Sequence, residues 1–200
     1  MNSTIDVSIR LLFVIVVVLF YKNWSRIAAA LKKQNPKSKK LIGVTEKILS
    51  LFRIRINNAF TSIILPILLV GGFLAYILSF NVNFAPPEPG VISLLNVIIV
   101  SPIYEEIMFR GLILGGFLLF FSWLAFKVIK WKENKITKFS VSTTSLFIVS
   151  VLFSIAHKGV LDLRYISGVI FGAVYLIDKK NLLPAIIGHS LNNLIVVLTS

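Results

Sequence analysis

The sequence predicts an all-α, polytopic transmembrane helix bundle of about six spans plus an interfacial helix. Hydrophobic residues make up 56% of its 200 positions and charged residues 14%, with a mean hydropathy of +0.89, outside the range of water-soluble domains. Several windows approach the roughly 20 apolar residues that a helix needs to cross a bilayer. The formal charge of +13 comes from basic residues standing between apolar segments. That spacing reads as membrane topology and argues against a nucleic-acid partner. Cysteine is absent, which excludes disulfides, thiolate metal sites and a cysteine nucleophile.

Span one is expected at about residues 7–24. Only Arg10 precedes its apolar run as a basic residue, and no small-residue cleavage site follows closely, so it reads as a retained span and not a cleaved signal. Span two is expected at about 59–80. A third helical region opens after the breakers Pro86, Pro87, Pro89 and Gly90. Residues 91–131 are almost all apolar and about twice as long as one crossing requires. A break at Gly115-Gly116 is therefore expected, leaving 91–114 as the span and Phe117–Trp131 as a helix in the interface. Pro102 should kink that span and free backbone groups for neighbouring helices or water to satisfy. Further spans are expected at about 141–158, 163–178 and 182–199, the last two joined by Asp178-Lys179-Lys180-Asn181.

Orientation follows from the basic connections. Ten Lys or Arg lie in 22–55, five in 127–138 and two at Lys179-Lys180, all of which the positive-inside rule assigns to the cytoplasm. The opposite side has only Arg10, Lys158 and Arg164, so both ends are expected outside. Anionic lipid attraction is a secondary role for the first basic loop.

Within the third span, Pro102-Ile103-Tyr104-Glu105-Glu106-Ile107-Met108-Phe109-Arg110-Gly111 places three ionisable groups where each costs about 2.5–3.5 kcal/mol to insert. Glu106 and Arg110 share a face at i, i+4, in the favourable order for an ion pair. A purely structural ion network accounts for that pair equally well. Glu105 points about 100° away without that partner, and an intramembrane carboxylate is a functional-site candidate by default. The two histidines lie in Phe153-Ser154-Ile155-Ala156-His157 and His189-Ser190-Leu191-Asn192-Asn193. His189 and Asn193, again at i, i+4, can jointly donate hydrogen bonds to one developing negative charge. An interhelical hydrogen-bonding role is the bland reading of each.

Glu105-Glu106-x-x-x-Arg110, Phe153-x-x-x-His157 and His189-x-x-x-Asn193, in that order on successive apolar segments, resemble the three motifs of the CPBP intramembrane proteases. That family includes the CAAX prenyl endopeptidases and the bacteriocin-processing and immunity proteins. The resemblance covers about 91–197 and divides the chain into two N-terminal helices with a basic loop (1–90) and a catalytic helix bundle (91–200). It implies that Glu105 and His157 activate a water that attacks a peptide carbonyl, that His189 and Asn193 form an oxyanion hole, and that Glu106 and Arg110 support the site. No cofactor or metal is implied; the partners are a membrane peptide or protein substrate and the bilayer. Cleavage is expected near the cytoplasmic face, in a bacterial plasma membrane.

Three alternatives stand beside it. Glu105, Glu106, His157 and His189 are all possible zinc ligands, although the His-Glu-x-x-His helix of zincins is absent. A catalytically idle binding or immunity protein would keep the same polar groups. A proton relay uses similar residues, but no internal repeat supports a transporter. Gly111-x-x-x-Gly115 and Gly168-x-x-x-Gly172 are assigned to internal packing. Depth counting brings Glu105 and His189 together, whereas His157 fits only if its helix begins in the cytoplasm through Ser140 to Ser145 or if the turn after it dips inward. The site is expected to open toward the cytoplasm.

Overall fold

A computed structural model describes residues 3–34, 39–79, 90–157 and 163–199. The expected breakers Pro86, Pro87 and Pro89, and Lys158, lie outside the described residues. Among the described residues seven helices follow one another: α1 Ser3–Gln34, α2 Lys39–Leu49, α3 Phe60–Leu78, α4 Val91–Val128, α5 Lys135–Ala156, α6 Leu163–Ile177 and α7 Leu182–Thr199. Five of them are long and apolar enough to cross a membrane. Large apolar side chains such as Leu12, Val16, Leu68, Leu95 and Phe147 face outward. In water such a surface would be a large exposed patch; in lipid it is solvated. The chain is an integral, multi-pass membrane protein.

The long helix departs from expectation. It does not break at Gly115-Gly116; α4 continues for 38 residues to Val128, roughly 57 Å at helical rise. The segment 117–131 expected in the interface is mostly the end of this one helix. Gly115 serves close approach instead of a break: a Cβ there would stand 2.5 Å from the Leu51 side chain, and one on Gly111 2.7 Å from Phe52. The Ser50–Phe52 turn thus presses Leu51 and Phe52 into the small-residue stripe of α4, and both become buried. Gly168 and Gly172 do the same for α6 against Ser150 and Leu146 of α5, in line with the packing role read from the sequence.

Pro102 is accommodated by a wide turn at Asn96–Val100, in which the Ser101 amide bonds back five residues to the Asn96 carbonyl. The next acceptor in that register is Val97, and its donor would be Pro102, which has no N–H. The Asn193 side chain supplies the missing donor, Nδ2 to Val97 O at 2.8 Å. A neighbouring helix thus satisfies the freed carbonyl, as lipid requires.

α5 begins earlier than the sequence reading placed it. Asn134 is extended, and its Oδ1 accepts from the Thr137 amide, an N-cap that starts the helix at Lys135. Its 22 residues then deliver His157 at the C-terminal end. α6 has only 15 residues, roughly 22 Å, too short to cross unaided. The α5 helix thus starts ahead of Ser140 to Ser145, as the first of the two conditions for His157 foresaw; the turn after His157 lies outside the described residues.

The three basic segments meet at one end of the bundle. The Arg53–Asn58 strap lies against the α6–α7 turn: Arg53 O accepts from the Leu182 amide at 2.7 Å, and Asn181 Oδ1 accepts from the Arg55 amide at 3.0 Å. The Asp178 carboxylate accepts from Ser62 Oγ (2.7 Å), Asn181 Nδ2 (2.7 Å), Thr61 Oγ1 (2.9 Å) and Asn57 Nδ2 (3.1 Å). Burial pushes the Asp178 carboxyl up, and these donors outweigh it and hold it below its ordinary value. This polar latch fixes the start of α7 and therefore the height of His189 and Asn193.

Candidate active site

Glu105, His157, His189 and Asn193 line one cavity of about 340 Å³, contributed by α4, the end of α5 and α7. Glu105 Oε2 is 3.2 Å from His157 Nε2 and 3.7 Å from His189 Nε2, yet it accepts no well-formed hydrogen bond from the described residues. The other oxygen, Oε1, accepts from the Ser101 hydroxyl one turn earlier. The carboxylate is therefore anchored on one oxygen and presents the second to both imidazoles.

His157 closes α5, and its ring folds back so that Nδ1 stands 2.8 Å from Phe153 O. A carbonyl only accepts, so Nδ1 carries the proton and Nε2 of the neutral ring is an acceptor facing Glu105. Two acceptors 3.2 Å apart need a proton or a donor between them. A group giving one hydrogen to each satisfies both.

His189 is held from its other side. Its Nδ1 is 2.8 Å from Glu106 Oε1, which also receives Arg110 Nη1 at 3.1 Å. Glu106 and Arg110, 0% and 1% exposed, form the i, i+4 pair expected from spacing. Arg110 Nη2 donates to Gly168 O at 2.9 Å, carrying the network to α6. Aromatic rings complete the box. The Phe171 ring stacks on His189 with centroids 4.8 Å apart, and the Arg110 guanidinium lies 4.7 Å from the Phe153 centroid. Asn193 spends one N–H on Val97 O, and its Oδ1 accepts from Asn192 at 3.2 Å. A primary amide has two N–H groups, and Asn193 is on the cavity wall.

Two cations were assigned by sequence to the outer side as topology charges; the structure puts both at the site. Arg10 lies within α1, donates to Ser101 Oγ and stands 3.7 Å from Glu105 Oε1. The signal was in the sequence, as an Arg inside an otherwise apolar span. Arg164 donates to the His157 carbonyl and lines the cavity. Ser101 was also missed, although it precedes Glu105 by one helical turn.

At the basic end the cavity is bounded by neighbouring elements of the fold. On that side Leu51 and Phe52 are packed onto α4. The cavity walls continue through Ile77, Arg164 and Val196, which lie roughly 20–25 Å along α3, α6 and α7 from the basic end. Among the described residues, no three His, Asp or Glu side chains converge so as to hold a metal ion.

Residues 86–195, more than half of the chain, match the family model described as type II CAAX prenyl endopeptidase, Rce1-like. Neither a curated protein nor a solved structure matches the chain.

Proposed function

Because the chain belongs to the type II CAAX prenyl endopeptidase Rce1-like family, and so is an intramembrane CAAX-type protease, we propose that it hydrolyses a peptide bond of a membrane-associated peptide or protein tail with a water activated by Glu105 and His157. The observation that carries this reading is the facing pair, Glu105 Oε2 and His157 Nε2 at 3.2 Å, on the wall of a cavity that reaches into the bundle. A water that donates one hydrogen to each becomes a nucleophile held by two bases. Its oxygen adds to the substrate carbonyl carbon and its proton passes to the pair. The tetrahedral intermediate collapses as the C–N bond breaks, and that proton leaves on the amine.

The developing oxyanion needs donors. Asn193 offers its second N–H. His189 offers Nε2–H in its doubly protonated form, in which Nδ1–H remains on Glu106. Glu106 and Arg110 orient that ring and neutralise each other away from the reacting atoms. Arg10 acts through Ser101 to hold Glu105 Oε1, so it is a positioning residue contributed from outside the family-matched segment.

The test compares membrane peptidomes of cells making the wild-type chain with those of cells making Glu105→Gln. Wild-type-specific fragments that vanish in the variant support the reading. Identical peptidomes, with any partner protection preserved in the variant, would indicate an idle binding protein. Full activity of the purified enzyme after thorough chelation distinguishes this chemistry from zinc hydrolysis; loss on chelation with recovery on zinc add-back would overturn it.

A further inference from the structure

A second cavity, of about 550 Å³, opens at the basic end, remote from the catalytic residues. Its polar wall brings together Lys47 from α2, Lys127 from α4, Lys138 from α5 and Lys180 from the α6–α7 turn. One lysine or more thus comes from each of the three basic segments that the sequence separates. Glu133 is the single carboxylate on the wall, and it is already paired with Lys138 at 2.9 Å. Positive charge is left in excess.

The turn that presents Lys180 is unusual. Lys179 and Lys180 both adopt left-handed backbone conformations, φ 59° and 63°, which side chains with a Cβ rarely occupy and which persist only where the surroundings enforce them. Burial, and then the Lys47 charge beside it, push the Lys180 ammonium below its ordinary value. Two ammonium groups held together in a partly dry recess form a cradle for an anion. The opposite wall is apolar: Leu118 is buried, and the Trp123 ring is exposed at the rim, as tryptophans are where bilayer meets water.

We propose that this cavity binds the phosphate-bearing headgroup of an anionic phospholipid, with the lysines on the phosphate and the Leu118 and Trp123 wall against the glycerol and first acyl carbons. Basic recesses between transmembrane helices on the positive side of a bilayer have the chemistry for such headgroups. A soluble phosphate would satisfy the lysines but not the apolar wall. Occupancy would brace the turn from which α7 carries His189 and Asn193.

The test uses the full chain as Trp24→Phe/Trp131→Phe, leaving Trp123 as the sole tryptophan and excited selectively over tyrosine, in phosphatidylcholine vesicles. Brominated phosphatidylglycerol is expected to quench Trp123 at a several-fold lower mole fraction than brominated phosphatidylcholine. Lys47→Gln/Lys180→Gln should remove that preference, and Lys47→Arg/Lys180→Arg should keep it. Equal quenching by the two lipids in the parent protein would overturn the proposal whether or not the glutamine variant folds, as would a preference that survives the glutamines. Pyrophosphate added to protein in neutral detergent separates the sources. No thermal stabilisation is expected, and stabilisation matching that given by phosphatidylglycerol would make this a soluble-anion site and overturn the lipid assignment.

Discussion

His189 Nδ1 stands 2.8 Å from Oε1 of Glu106, the same oxygen that receives Arg110 at 3.1 Å. One carboxylate, wholly buried, thus ties a cavity-lining imidazole to a buried guanidinium. Glu106→Leu would leave Arg110 charged and unpaired, which costs roughly 3–5 kcal/mol in comparable buried pairs. Thermal unfolding in detergent should show that loss. Glu106→Gln keeps an acceptor for His189, so it should fold better than the leucine variant while still losing turnover.

Arg10 reaches Glu105 through Ser101 from a helix whose apolar window has none of its residues buried in the bundle. Arg10→Met should therefore leave the thermal midpoint nearly unchanged and lower kcat, by up to about a hundredfold if the carboxylate drifts by an ångström. KM should hardly move, and Arg10→Lys should restore part of the rate. Equal losses of stability and rate, without rescue by lysine, would make Arg10 merely structural.

The Asp178 latch predicts an acid sensitivity. Its carboxyl is held below the ordinary value in the folded protein, so its stabilisation is complete above the unfolded value and is lost as pH falls through the folded one. Hydrogen bonds to a charged group are worth about 1.5–3 kcal/mol, and Asp178→Ala also leaves the buried Ser62 hydroxyl without its acceptor. Chemical denaturation as a function of pH should show the variant less stable at neutral pH, with the gap closing in acid below the ordinary carboxylate range.

The cavity walls running through Ile77, Arg164 and Val196 predict access to the Glu105 cavity from the end opposite the lysines. The chain has no cysteine, so single-cysteine variants report cleanly. In sealed vesicles of one orientation, Ser167→Cys should react with an impermeant thiol reagent from the side opposite to that labelling Lys180→Cys. Labelling of both from one side would refute this reading of the opening.

Periodicity and ion spacing made much of this architecture legible. The Glu106–Arg110 pair, the apolar helices and the meeting of the basic segments all follow from local rules that act within a turn or across a loop. What escaped depended on tertiary partners. Gly115 looks like a breaker until Leu51 is seen filling its place, and Arg10 looks like a topology charge until α1 is laid beside Ser101. Depth counted along single helices does not show that Leu51 and Phe52 pack against α4. Asn193 carries a duty that spacing did not reveal, satisfying the Val97 carbonyl that Pro102 strands.

If Glu105 and His157 act as one unit on one water, a double-mutant cycle on the purified, chelator-treated enzyme will show it. Glu105→Gln and His157→Gln should each lower kcat by about 10²–10⁴-fold. The double variant should be no slower than the slower single one, as residues acting together are strongly non-additive. Additive losses, or a Glu105→Gln enzyme within a few-fold of wild type, would contradict it.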